Sequence, residues 1–250
     1  MSPTASGSHL HERDDILVYS PEGELQELLG RLLLNHFRGR VAHDLEEATR
    51  IVKTNEPTIH AAIVPVSLPG DRLGPELAQL REAARSGRLR IVAAGPRPGD
   101  EVLTRFRTAG VDLTLFDPSG DTELRFVLNR ATHDDVAGER RDDLRVPTSL
   151  VARVHSPAGT KLALVYSLSR TGAYLETPRP SQESTAVEVE LPIPNGTLTL
   201  AATVVSTNVT GNLRRENLPR GMGIRFERLE EDEKLQLKSY IDDRAACYRP

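Results

Sequence analysis

Two short stretches of this sequence carry residue types that can do chemistry together. The first is ERRDDLRVP, in which Arg140, Arg141 and Arg145 stand with Asp142 and Asp143 between them. A planar, permanently charged guanidinium can take a carboxylate or phosphate through two parallel hydrogen bonds, so three of them form a clamp for an anionic ligand. The same residues also suit a solvated charge cluster, where each i,i+4 pair stabilises by only ~0.3 kcal/mol. The second stretch is Ser167-Leu168-Ser169-Arg170-Thr171-Gly172, followed by the apolar run AYLE. It offers two small hydroxyls and a glycine at a point where strand pattern breaks.

The bulk composition narrows what such residues can serve. The 250 residues suffice for two modest domains, each with its own core. Lys+Arg 32 against Asp+Glu 36 leaves a formal charge of -4, which argues against a general binder of DNA or RNA. No apolar run reaches the roughly 18–20 residues that span a bilayer, so membrane insertion is not expected. The opening MSPTASGSHLHERDD lacks an apolar core and reads as a disordered tail over 1–13 rather than a secretory signal. The single cysteine, Cys247, cannot form an internal disulfide and fits a reducing cytoplasm.

The elements that must position these residues fall into two sets. From Asp14 to Thr132 apolar runs alternate with helix-spaced stretches: DILVY, then Leu25, Leu28, Leu29, Leu32 and Leu33 on one helical face, then RVAHD, LEEATRIVKTN, HAAIVPV, PELAQLREAARSG, RIVAAG, DEVLTRFRTAG, DLTLF and ELRFVLNRAT. Gly87 and Gly110 stand where two of these helices should stop. That order predicts a doubly wound parallel sheet of five strands, with ligands at the carboxyl ends of the strands. The polar segment 133–139 reads as a linker. From Arg140 to Pro250 the pattern becomes short β runs, SLVARVHS, KLALVYSLS, GAYLETP, AVEVELPIP, TLTLAATVVSTN and GMGIRFERL, with Asn195-Gly196 as a hairpin signal. Six such strands predict an antiparallel barrel, which removes its own edges by closing. EEDEKLQLKSYIDDR follows as a closing helix that packs through Leu235, Leu237 and Ile241.

The first half resembles a response-regulator receiver domain, through ILVYSPEGELQELL, VPVSLPGDRLGPELAQLR and AGVDLTLFDP. The resemblance implies a metal-holding acidic pair, a phosphoacceptor Asp, a Ser or Thr and a Lys. These positions fall on Ser20 and Pro21, on Pro65, on Ala94 or Gly95, and on Asp117. Proline carries no nucleophile and Asp117 repels a phosphoryl group, so the domain is a pseudo-receiver. Asp71 and Asp112 read as solvated loop carboxylates. By analogy, the outer faces of the last helix and last strand are expected to dock a partner or a second copy of the chain.

The second half resembles the PilZ domain, whose signatures are RxxxR and (D/N)xSxxG followed by alternating apolar residues. Arg141 to Arg145 and Ser167 to Gly172 occupy those places, and GMGIRFERLEEDEKLQLKSYI is similar to the family's final strand and helix. The resemblance implies a cytoplasmic, non-enzymatic receptor for cyclic di-GMP acting through a protein partner, with outputs in motility, surface attachment or exopolysaccharide control. It assigns ligand contacts to Arg140, Arg141, Arg145, Ser167, Ser169 and Gly172. Arginine can read guanine O6 and N7, pair with phosphate and stack on a purine. Ser167 departs from the Asp or Asn of the family, which removes an acceptor for guanine worth ~1–3 kcal/mol. Two readings stay open: a cyclic di-GMP receptor, or a degenerate scaffold or localisation protein that binds no ligand. No catalytic constellation, cofactor site or metal-ligand spacing is found, and Gly221-Met222-Gly223 reads as the start of a strand rather than a phosphate loop.

Overall fold

The computed structural model describes residues 15–55, 59–84, 89–133, 144–211, 213 and 217–250. The first half is an α/β sandwich. Its strands are β1 (Asp15–Tyr19), β2 (Arg38–Ala42), β3 (Ile59–Pro65), β4 (Arg90–Pro96) and β5 (Leu113–Asp117). All neighbours run parallel in the order β2-β1-β3-β4-β5. A parallel sheet is covered on both faces, which is why its strands read as unbroken apolar runs. β1 is buried at every position. Leu17 and Tyr19 face one core, which helices α2 (Leu45–Thr54), α3 (Gly70–Ala83) and α4 (Asp100–Ala109) complete with Val52, Leu77 and Phe106. Ile16 and Val18 face the other, completed by α1 (Glu27–Leu34) and α5 (Asp121–His133) with Leu32, Leu124 and Val127.

Two helical expectations need adjustment. Leu33 is 63 % exposed, because α1 begins only at Glu27 and its buried face is narrower than the leucine spacing implies. α3 begins at Gly70, ahead of Pro75, and so brings Leu73 into the core. Gly110 ends α4 at φ 80, a left-handed conformation that favours glycine, as its position suggested. Gly87 lies outside the described residues.

The second half is a closed barrel. Six strands, β7 (Val151–Ser156), β8 (Gly159–Leu168), β9 (Gly172–Glu176), β10 (Ala186–Ile193), β11 (Gly196–Asn208) and β12 (Gly221–Phe226), pair antiparallel in the order β8-β7-β10-β11-β12-β9, and β9 returns to β8. A two-residue strand, β6 (Val146–Pro147), lies on β8. Inward residues alternate along each strand, as in Val187, Val189, Leu191 and Ile193 of β10. The hairpin from β10 to β11 turns on Pro194 and Asn195, one residue earlier than the Asn195-Gly196 signal, since Ile193 pairs with Gly196. Helix α6 (Glu231–Ala245) plugs the barrel with Leu237 and Ile241, whereas Leu235 is 67 % exposed and turns away from it.

The two halves share a core. Tyr166 of β8, Tyr174 of β9 and Tyr248 pack with Phe126, Leu128 and Ala131 of α5. Beyond α6 the chain runs along β5, where the Thr114 backbone N–H donates to the Tyr248 carbonyl at 3.1 Å and the Thr114 hydroxyl to the Cys247 carbonyl at 3.2 Å. The face of α5 and β5 expected to dock a partner or a second copy is therefore covered by the chain's own barrel and C-terminal residues.

Candidate functional site

The end of the first motif reaches the second at one rim of the barrel. β6 lays Val146 against Leu168 and Pro147 against Ser167 in antiparallel register. Continuing that register by one step sets Arg145, half-buried, beside Ser169. The segment after β6 holds the same strand, since the Thr148 hydroxyl donates to the Val165 carbonyl at 2.5 Å and the Val165 N–H donates to the Leu150 carbonyl at 2.8 Å. The end of the RxxxR element is thus sewn to the strand that carries SLSRTG. Arg140 and Arg141 lie outside the described residues.

The serines and the glycine of the second motif serve the fold first. Ser169 is fully buried, and both its N–H, at 2.8 Å, and its hydroxyl, at 3.1 Å, donate to the Gly172 carbonyl. That pair closes the turn and commits the hydroxyl proton. Gly172 answers a steric need: a Cβ there would sit 2.2 Å from the Ile224 carbonyl oxygen of β12. Its backbone is not left-handed, and the close neighbour at that point is a strand of the barrel. Ser167 is 3 % exposed and lies between β6 and β9. Arg170 and Thr171, which the motif leaves unspecified, are exposed at the tip of the turn.

Immediately before Ser167 the strand carries a bulge. β8 pairs Val165 with Leu175 and then Ser167 with Tyr174, so Tyr166 is the extra residue. Bulges of this kind re-aim side chains and cluster beside functional sites. Nothing in the alternating pattern of KLALVYSLS marked it, because Tyr166 is as apolar as its neighbours.

In the first half the carboxyl ends of β3, β4 and β5 and residues 24–31, which run into α1, enclose a cavity of about 360 Å³. Its lining includes Pro65, Ala94, Gly95 and Asp117, the positions on which the receiver resemblance sets its acceptor, hydroxyl and lysine. Ser20 is buried and donates its hydroxyl to Glu24 at 2.7 Å, while Ser67 donates to the other Glu24 oxygen at 2.8 Å. Partial burial pushes the Glu24 pKa up, but backbone N–H groups and these two hydroxyls outweigh it and hold the carboxyl below its ordinary value. Arg31, on the opposite wall, is engaged by Asp121 at 2.9 Å and the Ser119 carbonyl at 2.9 Å. Asp71 is exposed, in the first turn of α3. Asp112 is not a free loop carboxylate: it accepts from the Ile91 N–H at 2.8 Å and pairs with Arg90 and Arg81. Among the described residues no His, Cys, Asp and Glu cluster could hold a metal ion, and no helix is long and apolar enough to cross a membrane.

The PilZ domain family matches residues 139–243. No curated protein matches the chain in sequence. Among solved structures, the Bacillus subtilis inhibitor of motility MotI/DgrA is similar at 16% identity and TM-score 0.36, over 43% of this chain and 52% of that one. A two-component response regulator from Clostridium difficile is similar at 17% identity and TM-score 0.40, over 48% of this chain and 95% of that one. The PilZ domain of Escherichia coli YcgR with c-di-GMP is similar at 21% identity and TM-score 0.34, over 43% of this chain and 93% of that one. The chain spans about half the length of MotI/DgrA. With a parallel sheet in the order β2-β1-β3-β4-β5 ahead of a closed barrel, the chain has a receiver-like fold followed, over residues 139–243, by a PilZ domain.

Proposed function

We propose that this protein is a non-enzymatic bacterial signalling protein whose PilZ domain is a receptor for cyclic di-GMP. It acts in the cytoplasm on a protein partner, in motility, surface attachment or exopolysaccharide control. The observation that carries the reading is the β6–β8 register, which brings the end of the RxxxR element to the SLSRTG turn. Arginines arriving there meet a turn closed by the bonds from Ser169 to Gly172, so a phosphate or a guanine edge finds charged donors over a preformed turn. Arg140, Arg141 and Arg145 are assigned to the dinucleotide, and Ser167 to its guanine edge. Ser169 and Gly172 are assigned to the turn that supports them. The direct test is calorimetric titration of the full chain with cyclic di-GMP. Saturable binding at micromolar or lower concentration supports the receptor, and a flat titration removes it.

A second reading is a scaffold that binds no ligand. It is favoured by Ser167, which is shorter than the Asp or Asn of the family and only 3 % exposed. The same chain has already lost its phosphoacceptor at Pro65.

A further inference from the structure

The core that joins the two domains passes through the strand that carries the second motif. Around the bulge in β8, Val165 and Leu168 both enter the barrel core, while Tyr166 turns the other way into the core shared with α5. There its ring meets Phe126 edge-on with centroids 6.1 Å apart, and Tyr174 at 5.8 Å. Asn129 of α5 donates from its side-chain nitrogen to the Tyr166 hydroxyl at 3.0 Å and to the Asn217 carbonyl at 3.1 Å. Asn129 is 9 % exposed, and its own side-chain oxygen is buried without a partner. An unmet buried acceptor costs free energy, which the two bonds from the amide nitrogen offset. A second tie works in the same direction. Arg244 donates to the Pro147 carbonyl at 3.2 Å and to Glu123 of α5 at 3.2 Å, and Pro147 is the residue paired with Ser167.

We infer that the receiver-like domain is a positioning element for the barrel's motif strand. Asn129 holds Tyr166 in the bulge, and the bulge sets where Ser167 and the SLSRTG turn lie. A fold that has lost its own phosphoryl chemistry thereby keeps a task that its last helix performs from outside the barrel. Asn129 and Tyr166 touch no ligand and act through the backbone of β8. The consequence for affinity rests on the cyclic di-GMP reading of the rim, while the consequence for the strand itself does not.

The experiment uses the full chain with Tyr166→Phe and Asn129→Leu, and Tyr240→Phe as control. Tyr240 packs against the barrel core from α6 and takes no part in the core shared with α5. Amide hydrogen exchange of peptides covering residues 164–172 is measured without ligand, since local opening reports how firmly a segment is held. Exchange should quicken ~10-fold in Tyr166→Phe and in Asn129→Leu and stay unchanged in the control. Unchanged exchange in both junction variants overturns the inference. Cyclic di-GMP titration is the second readout, and the conservative Tyr166→Phe should bind ~5-fold more weakly than wild type. Wild-type binding with undiminished affinity in Tyr166→Phe also overturns it, since the bulge would then not aim the site. Absence of binding by the wild type sinks the receptor reading instead, and the exchange result alone then decides whether α5 holds the strand.

Discussion

Arg244 of α6 and Glu123 of α5 form an ion pair at 3.2 Å across the domain junction, with Tyr248 donating its hydroxyl to the same carboxylate oxygen at 2.7 Å. Arg244 also donates to Tyr248 and to the Pro147 carbonyl. On the sequence, Arg244 stands on a terminal helix away from both motifs, where its loss should have little effect on ligand binding. The structure makes it a hub that ties α5, α6 and β6 together. Arg244→Ala should therefore destabilise the protein by ~1–3 kcal/mol, because it leaves a partly buried carboxylate and a carbonyl short of donors. Urea unfolding of wild type and variant measures this. A midpoint shift within error would mean the pair is as weak as an exposed one.

The junction should weaken in acid. Burial pushes the Glu123 pKa up, but the Gly120 N–H, the Tyr248 hydroxyl and Arg244 outweigh it and hold the carboxyl below its ordinary 4.5. A group with a depressed folded pKa contributes stability above its unfolded value and loses it as pH falls through the folded one. Wild type should accordingly melt higher than Glu123→Gln at pH 7, and the gap should close on titration from about pH 5 downward. A gap that widens in acid contradicts the assignment.

The receiver-like domain should be inert to phosphoryl donors. Pro65 stands at the end of β3, Ser20 is buried on Glu24, and Asp117 is exposed where a lysine is needed. Acetyl phosphate, or beryllium fluoride with magnesium, should leave its spectra unchanged, and a stoichiometric acid-labile phosphate would refute this.

The arginines and Ser167 divide the two functional readings. Arg141→Ala and Arg145→Ala should each weaken cyclic di-GMP binding by ~2 kcal/mol or more, since each removes a charge-assisted contact. Ser167→Asp and Ser167→Asn restore the missing acceptor and should raise affinity by ~1–2 kcal/mol, near tenfold. Two folded Ser167 variants without detectable binding would transfer the protein to the scaffold reading.

Gly172 belongs to a different kind of test. Gly172→Ala places a methyl group 2.2 Å from the Ile224 carbonyl oxygen, so β9 and β12 must separate. The expected result is a barrel destabilised by ~2 kcal/mol or more, read by thermal melting, with any loss of binding following from it. Normal stability with lost binding would instead place Gly172 in the ligand site.

Much of the architecture was legible in the residues. DILVY, HAAIVPV and RIVAAG are continuous apolar runs because a parallel sheet is dry on both faces, and AVEVELPI alternates because a barrel is dry on one. Those are local periodicities, so composition and spacing carry them. The errors lie where periodicity is silent. Leu33 and Leu235 fit a helical stripe but face solvent, since the width of a buried face depends on what packs against it. Ser169 and Gly172 were visible as a motif, but whether they meet a ligand or a neighbouring strand depends on residues distant in sequence, Ile224 among them.

The sequence by itself determined the two fold classes, their strand and helix order, and the presence of an RxxxR element ahead of SLSRTG. Only the tertiary structure decided that α5 lies against the barrel, that a bulge turns Tyr166 toward Asn129, and that Arg244 joins Glu123 to Pro147. The reason is the range of the interactions. Secondary structure follows from neighbours a few residues apart, whereas Asn129 with Tyr166 and Glu123 with Arg244 are far apart in sequence and meet only once both cores have formed.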